Sequence, residues 1–404
     1  MMNTNIIYLD NNATTMVAPE VVEAMLPFFS QRYGNPSSMH DFGGDVAHDV
    51  ENARHSVAQM LGADYDYEIV FTSGATESDN MAILGTLQYY RDKKHIVTTK
   101  VEHPAVLNLC RQLEREGYTV TYVPVDREGN LDVEFLFDSV TNDTAIVSVM
   151  YANNETGVIF PVEEIGAFCK KRGIPFHVDA VQAIGKIPVN VNAIQCDLLA
   201  ISGHKFHAPK GIGVLYVRRG TRMRPLLYGG HQEKARRPGT HNVPGIIGIG
   251  KASQLVIQHL ANKDEVAKVK RLRDKLEDGL LSQFPNAHLN GNKVKRVDNT
   301  TNIGFEFIEG EAILLYLNEK GIAASSGSAC SSGSLEPSHV LRAMGVPFTS
   351  AHGSIRFSLS RYTTEEEIDY TLQVMPEVVN KLLEISPYWD SKNKKGKPIG
   401  ELAR

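Results

Sequence analysis

Between residues 68 and 217 the chain alternates short β-branched runs with amphipathic segments, and this alternation restricts the fold more than any other feature. Strands are expected over 68–72, 95–100, 119–125, 144–150, 175–178, 197–201 and 212–217. Helices are expected between them over 77–91, 105–116 and 162–172, the last opening after Pro161 and closing at Gly173. Alternating strand and helix predict an α/β fold, a mostly parallel seven-stranded sheet with helices on both faces. Ligands of such sheets bind beyond the carboxyl ends of the strands, so the residues that follow each strand carry the functional argument.

At 404 residues the chain exceeds one such unit. An apolar helix beyond Gly245 and a charged one over 263–283 read as a long connector. A smaller α+β unit then follows, with strands over 302–307 and 354–360 and helices over 311–320 and 364–384. The expected organisation is a large domain over 15–260, a small domain built from 1–14 and 261–385, and a frayed polar tail over 386–404. The first forty residues are expected to pack toward the C-terminal unit.

With 42 Lys+Arg against 47 Asp+Glu, the net charge of −5 gives no electrostatic reason to expect nucleic acid or an anionic membrane as partner. No apolar run reaches the roughly 18–20 residues of a membrane span. The opening MMNTNIIYLDNNATT lacks the pattern of a secretory signal, so a cytoplasmic location is expected. The four cysteines, Cys110, Cys169, Cys196 and Cys330, include no CxxC pair. Three lie in apolar or helical surroundings and read as small core residues. Cys330 instead sits in SSGSACSSGS (325–334), the composition of a flexible linker, where a lone exposed thiol is an oxidation liability without a functional reason.

Three strand ends stand out. After the first expected strand comes Ser73-Gly74-Ala75-Thr76-Glu77-Ser78-Asp79-Asn80, a small polar turn opening a helix. It reads either as a phosphate cradle or as an ordinary cap by Thr76 or Ser73. Asp179 and Gln182 follow the fifth strand, where the carboxylate either meets a cationic ligand atom or shapes a turn. Ser202, His204 and Lys205 follow the sixth; Lys205 is either a buried amine of depressed basicity or a snorkelling surface lysine. One lysine, one carboxylate and two phosphate-binding turns suit a phosphorylated aldehyde cofactor. Gly245–Ala252 nearly matches a P-loop, but Ala252 replaces the magnesium-binding Ser or Thr and no strand precedes it. Cys196, His204 and His207 match no zinc-ligand spacing.

These residues resemble the cysteine desulfurases, class V, fold-type I pyridoxal-phosphate enzymes, and the nitrogenase-associated type is the more similar. The resemblance runs to about residue 385. It rests on YLDNNATT (8–15), YGNPSS (33–38), TSGATESDN (72–80), EHPAV (102–106), NNETG (153–157), HVDAVQ (177–182), SGHKFHAPKGIG (202–213), RPGT (237–240), SSGSACSSGS (325–334) and SIRFSLSR (354–361). It implies that Lys205 holds pyridoxal 5'-phosphate as a Schiff base and shuttles a proton on the substrate, while Asp179 pairs with the ring nitrogen. His103 would stack on the ring and serve in acid–base steps, and Gln182 and Asn154 would contact its phenolic side. Ala75, Thr76, Ser202 and His204 would bind the phosphate, with Thr240 supplied across a homodimer. Arg356 would clamp the carboxylate of L-cysteine with Asn12 and Asn154 beside it, and Cys330 would take the sulfur as a persulfide, leaving L-alanine.

The resemblance further implies an iron–sulfur scaffold protein as sulfur acceptor. No resident metal is implied, because Cys330 holds no cluster alone and would be at most a transient iron–sulfur ligand shared with that partner. The competing readings are a class V aminotransferase, a selenocysteine lyase and a non-enzymatic scaffold.

Overall fold

The computed structural model describes residues 6–326, 337–390 and 395–396. Strand β1 (Ile7–Tyr8) pairs, far along the chain, with a strand of the small unit. The chain then crosses to the large unit, whose sheet comprises β2 (Ile69–Thr72), β3 (His95–Thr99), β4 (Thr119–Val123), β5 (Thr144–Met150), β6 (Phe176–Asp179), β7 (Leu198–Ser202) and β8 (Gly213–Val217). Their order is β2-β8-β7-β6-β5-β3-β4. All neighbours are parallel except β8, which runs antiparallel to both β2 and β7. Helices on both faces bury the strands from two sides, which is why β2, β3, β5, β6, β7 and β8 are buried along their whole length and read as apolar runs rather than alternating ones. The edge strand β4 is the exception, half-exposed and threonine-bearing.

The reversed β8 places the turn after β2 beside the ends of β6 and β7. It can do so because Gly213 has no side chain: a Cβ there would stand 2.6 Å from the Cα of Gly74. The near-P-loop at 245–252 lies inside helix Val243–Ala261, whose backbone is committed to the helix and offers no phosphate loop.

The small unit has an antiparallel sheet of β9 (Ala287–Leu289), β10 (Thr300–Phe305), β12 (Ser325–Ser326) and β13 (Ser354–Ser358), in the order β12-β13-β10-β9, while β11 (Ile322–Ala323) receives β1. Helices Lys263–Gln283, Gly310–Glu319 and Glu365–Ile385 close a separate core around Leu276, Phe305, Phe357 and Met375. Thr364 and Glu367 form a capping box that starts the last helix.

Three assignments differ from the sequence reading. The first forty residues do not all pack with the C-terminal unit: Ala18, Val21 and Phe28 join the large core, because helix Pro19–Met25 lays its apolar face on helix Val243–Ala261. Val340, Leu341 and Met344 also join the large core. The tail is ordered at its start: Trp389 is buried against Phe307, ring centroids 5.6 Å apart, and Trp389–Asp390 (β14) pairs with Lys395–Gly396 (β15). Burying the chain's one tryptophan outweighs the polar character of its neighbours.

Gly213→Ala should therefore force the Gly74 turn away from the sheet end. The expected loss is about 1–3 kcal/mol of unfolding free energy, the usual range for overpacking. Pyridoxal-phosphate affinity, read by cofactor titration, should fall with it; unchanged affinity would show that the close approach has no role in the site.

Candidate active site

The carboxyl ends of β2, β6 and β7, the N-terminal turn and β13 enclose a cavity of about 660 Å³, within the range of small-molecule sites. Of the residues expected in the site, Asn12, Ala75, Thr76, His103, Asn154, Asp179, Gln182, Ser202, His204, Lys205 and Arg356 all line it. Thr240 does not; it is exposed, outside the cavity of its own chain. Cys330 falls within 327–336, outside the described residues.

Lys205 follows β7 at the rim, and its Nζ donates to the carbonyls of Asn12 (2.7 Å) and Ala13 (2.8 Å). Asp179 ends the adjacent β6, where Oδ1 accepts the Val181 N–H at 2.9 Å. Burial raises the Asp179 carboxyl to about 6, although Lys205 nearby opposes the shift. A carboxylate in that position is short of positive charge, and the protonated nitrogen of a ring would supply it. His103 caps helix Pro104–Arg115 by accepting the Ala105 N–H (3.1 Å), and burial with the Lys205 charge pushes it down to about 4, so its imidazole is neutral at pH 7.

At the far end, helix Ala75–Tyr89 begins at Gly74 with no capping side chain. Ser73 is not the cap, because its N–H and hydroxyl both bond Glu77 (2.8 and 2.5 Å), and Glu77 is held by Arg237 at 2.7 Å. Thr76 does not cap the helix either. The first-turn N–H groups and the dipole remain available to an anion. A Cβ at Gly74 would meet only Ser202 Oγ, at 3.8 Å, which leaves a cradle open toward Ser202, His204 and Lys210. The donor set thus fits a phosphorylated aldehyde: amine, carboxylate and an uncapped helix start around one cavity.

On the small-unit side, Arg356 donates to Asp10 Oδ1 (2.8 Å) and to the Asn154 carbonyl (3.0 Å), which Asn12 Nδ2 also reaches at 3.2 Å. Ser325 stands opposite Arg356 in the β12–β13 register. On the other side of 327–336, Ser338 Oγ bonds Glu155 Oε2 (2.5 Å) and the His339 ring reaches the Glu102 carbonyl (3.0 Å). The segment carrying Cys330 is thus rooted at both ends beside Arg356, Asn154 and His103. Cys110, Cys169 and Cys196 are fully buried, and burial raises each thiol to about 12, which removes them as nucleophiles.

The sequence reading missed a buried polar layer beneath the cavity. Asp79 faces His177 (3.5 Å), whose other ring nitrogen meets Ser148 Oγ at 2.9 Å. Glu102 accepts from Thr99 Oγ1 (2.8 Å) and the Met150 N–H (3.0 Å). Burial and the neighbouring carboxylates Asp179 and Glu102 push Asp79 up, while burial drives His177 down to about 3. The signal was present in His177 and Asp179, two apart on one strand and so on one face.

Comparison with known proteins follows this geometry. The chain matches the family described as aminotransferase class-V over residues 7–371, which makes it a pyridoxal-phosphate-dependent enzyme of that class. It is 62% identical over 384 residues to a cysteine desulfurase of Trichormus azollae, covering 95% of each chain. It is 56% identical over 383 residues to the cysteine desulfurase NifS of Azotobacter vinelandii, again covering 95% of each. A solved NifS-like protein superposes with a TM-score of 0.87 at 40% identity, over 94% of this chain and 100% of the other. The chain belongs to the cysteine desulfurases.

Burial raises Glu102 from about 4.5 to about 8. Between those values the folded protein keeps a proton that the unfolded chain has released, so this group's stabilisation is complete below the unfolded value and is lost as pH rises through the window. Glu102→Gln should flatten that slope: relative to wild type, its Tm should rise by a few degrees from pH 5 to pH 8. Parallel melting profiles would contradict the buried, protonated carboxyl.

Proposed function

We propose that the desulfurase reaction of this chain runs on Lys205, Asp179, His103, Arg356 and Cys330. The observation that carries this reading is that the amine after β7, the carboxylate after β6 and the uncapped helix start after β2 meet in one cavity, with Arg356 at its opposite wall. Bound pyridoxal phosphate supplies an electron sink for the charge that develops on the substrate. Ala75, Thr76, Ser202 and His204 hold the phosphate end, Asp179 holds negative charge at the ring nitrogen, and Gln182 and Asn154 flank the phenolic side. His103 stays neutral through burial, stacks on the ring and serves as proton carrier.

Arg356 and Asn12 orient the carboxylate of L-cysteine, a role that suits a guanidinium's paired donors. Lys205 moves the proton at the substrate Cα. The Cys330 thiolate attacks the substrate sulfur, an S–S bond forms, the C–S bond breaks, and its electron pair stays on the carbon. Protonation of that carbon gives L-alanine and leaves the persulfide on Cys330. Cys330 lies four residues beyond Ser326, a tether of about 14 Å at full extension, enough to serve both the cavity and an outside acceptor. That acceptor is an iron–sulfur scaffold protein, with which Cys330 shares iron transiently. The enzyme works as a cytoplasmic homodimer in which Thr240, exposed in its own chain, completes the partner's phosphate pocket. Among the described residues no helix is long and apolar enough to cross a membrane. An aminotransferase would need the lysine and carboxylate but not a thiol rooted beside Arg356.

Lys205→Ala should abolish alanine production and leave no borohydride-reducible cofactor linkage; a surviving linkage would place the attachment elsewhere. Cys330→Ala should change stability by no more than about 0.5 kcal/mol, as at a surface position. It should bind cofactor and still shift its visible spectrum with cysteine, yet make no alanine. In the wild type, mass spectrometry after one turnover should find an extra sulfur on the Cys330 peptide. Alanine formation by Cys330→Ala at near wild-type rate would overturn the mechanism.

A further inference from the structure

The turn after β6 places a second lysine one layer behind the cavity. Lys186 Nζ donates to Asn12 Oδ1 at 3.0 Å and, in a short contact, to Gln182 Oε1. Gly185 makes this possible: its φ is +75°, and a Cβ would stand 2.9 Å from the Cβ of Phe206, so only glycine lets the turn close against the segment that carries Lys205. Gln182 and Asn12 are 4% and 1% exposed, so their amides depend chiefly on partners within the protein. Gln182 Nε2 in turn donates to the Asn12 carbonyl (3.0 Å), the same oxygen that receives Lys205. Asn12 Nδ2 is committed to Thr300 Oγ1 (2.9 Å) and the Asn154 carbonyl.

We propose that Lys186 is a positioning residue for the desulfurase site, fixing the amide planes of Asn12 and Gln182 so that Gln182 faces the bound cofactor only as a donor. With Oε1 held toward Lys186 and one Nε2 hydrogen on Asn12, the second Nε2 hydrogen is the donor that Gln182 has left for the cofactor. A phenolate oxygen accepts it; a flipped amide would present an oxygen and repel. Burial, reinforced by the charges of Lys205 and Arg356, holds Lys186 well below the ordinary lysine range, and its Nζ still donates to both acceptors. The inference rests on the reading that Gln182 serves the phenolic side of the ring.

The test is a pH titration of the bound cofactor's visible absorbance, with cofactor affinity of the apoprotein measured alongside. In Lys186→Met the phenolic oxygen loses its fixed donor and holds its proton more tightly. The midpoint should rise by about one pH unit, a tenfold change in proton affinity, and cofactor affinity should weaken. Lys186→Arg, which keeps the donors, should stay near wild type. In a Gln182→Ala background, Lys186→Met should add nothing. A wild-type midpoint in Lys186→Met, while Gln182→Ala alone shifts it, overturns the role of Lys186, as does an additive shift in the double variant. A wild-type midpoint in Gln182→Ala overturns the reading of Gln182 itself. Near-UV circular dichroism of each apoprotein checks folding, and Lys186→Gln replaces the methionine variant if that one does not fold.

Discussion

Negative charge at the buried carboxyl edge of the large sheet is the constraint around which the site is arranged. Asp179 ends β6 inside the protein; burial raises it, Asp79 and Glu102 alike, and the Asp179 charge adds to the rise at the other two. Three carboxyl groups cannot all ionise in such a setting: burial and its neighbours push Asp79 well up, burial carries Glu102 to about 8, and Asp179 rises to about 6. Under the proposed assignment, a cationic ring nitrogen beside Asp179 would draw that carboxyl down, turning an unfavourable electrostatic setting into affinity for one kind of ligand. His177, neutral and bonded to Ser148, separates the layers without adding charge.

The second organising element is Asn12, a buried residue on a segment that belongs to the small unit while its side chain and carbonyl reach the large one. Lys205, Gln182 and Lys186 approach it from the sheet side, and Thr300, Asn299 and Ser358 from the other. A single amide therefore joins the lysine to the strand that carries Arg356. These hydrogen bonds tie the position of the Lys205 amine to that of the strand carrying Arg356.

In the proposed reaction, the electron-sink chemistry and the sulfur chemistry make different physical demands on the chain. The amine, carboxylate and phosphate turn need burial and fixed geometry, because their electrostatics work only where water is excluded. A thiol proposed to serve both a cavity and an acceptor protein would need a tether. The described residues that flank 327–336 are held by the frame, Ser325 opposite Arg356 and Ser338 on Glu155. The three remaining cysteines are kept inert by the same burial that makes them good core residues.

The strands, their order of function and the residues at their ends were legible in the sequence because each depends on local pattern. Apolar β-branched runs mark strands buried on both faces, and the residues just past them fall at the ligand edge whatever the details of packing. Asp179, Lys205 and the Ser73–Thr76 turn were found that way, and the Ser/Gly run around Cys330 announced itself by composition. His177 could be read as sharing a face with Asp179, but its meeting with Asp79 and Glu102, the crossing of Asn12 and the support of Lys186 were not legible, since each depends on residues distant in the chain meeting in a particular register. Whether the turn at 73–76 is a capped helix or an open cradle was likewise undecided by its residues. Tertiary structure decided it: Arg237 occupies Glu77, Glu77 occupies Ser73, and the missing Cβ of Gly213 lets the bare helix start approach the ends of β6 and β7. Local pattern determines which groups a chain presents, and long-range packing determines which of their hydrogen-bonding positions are left for a ligand.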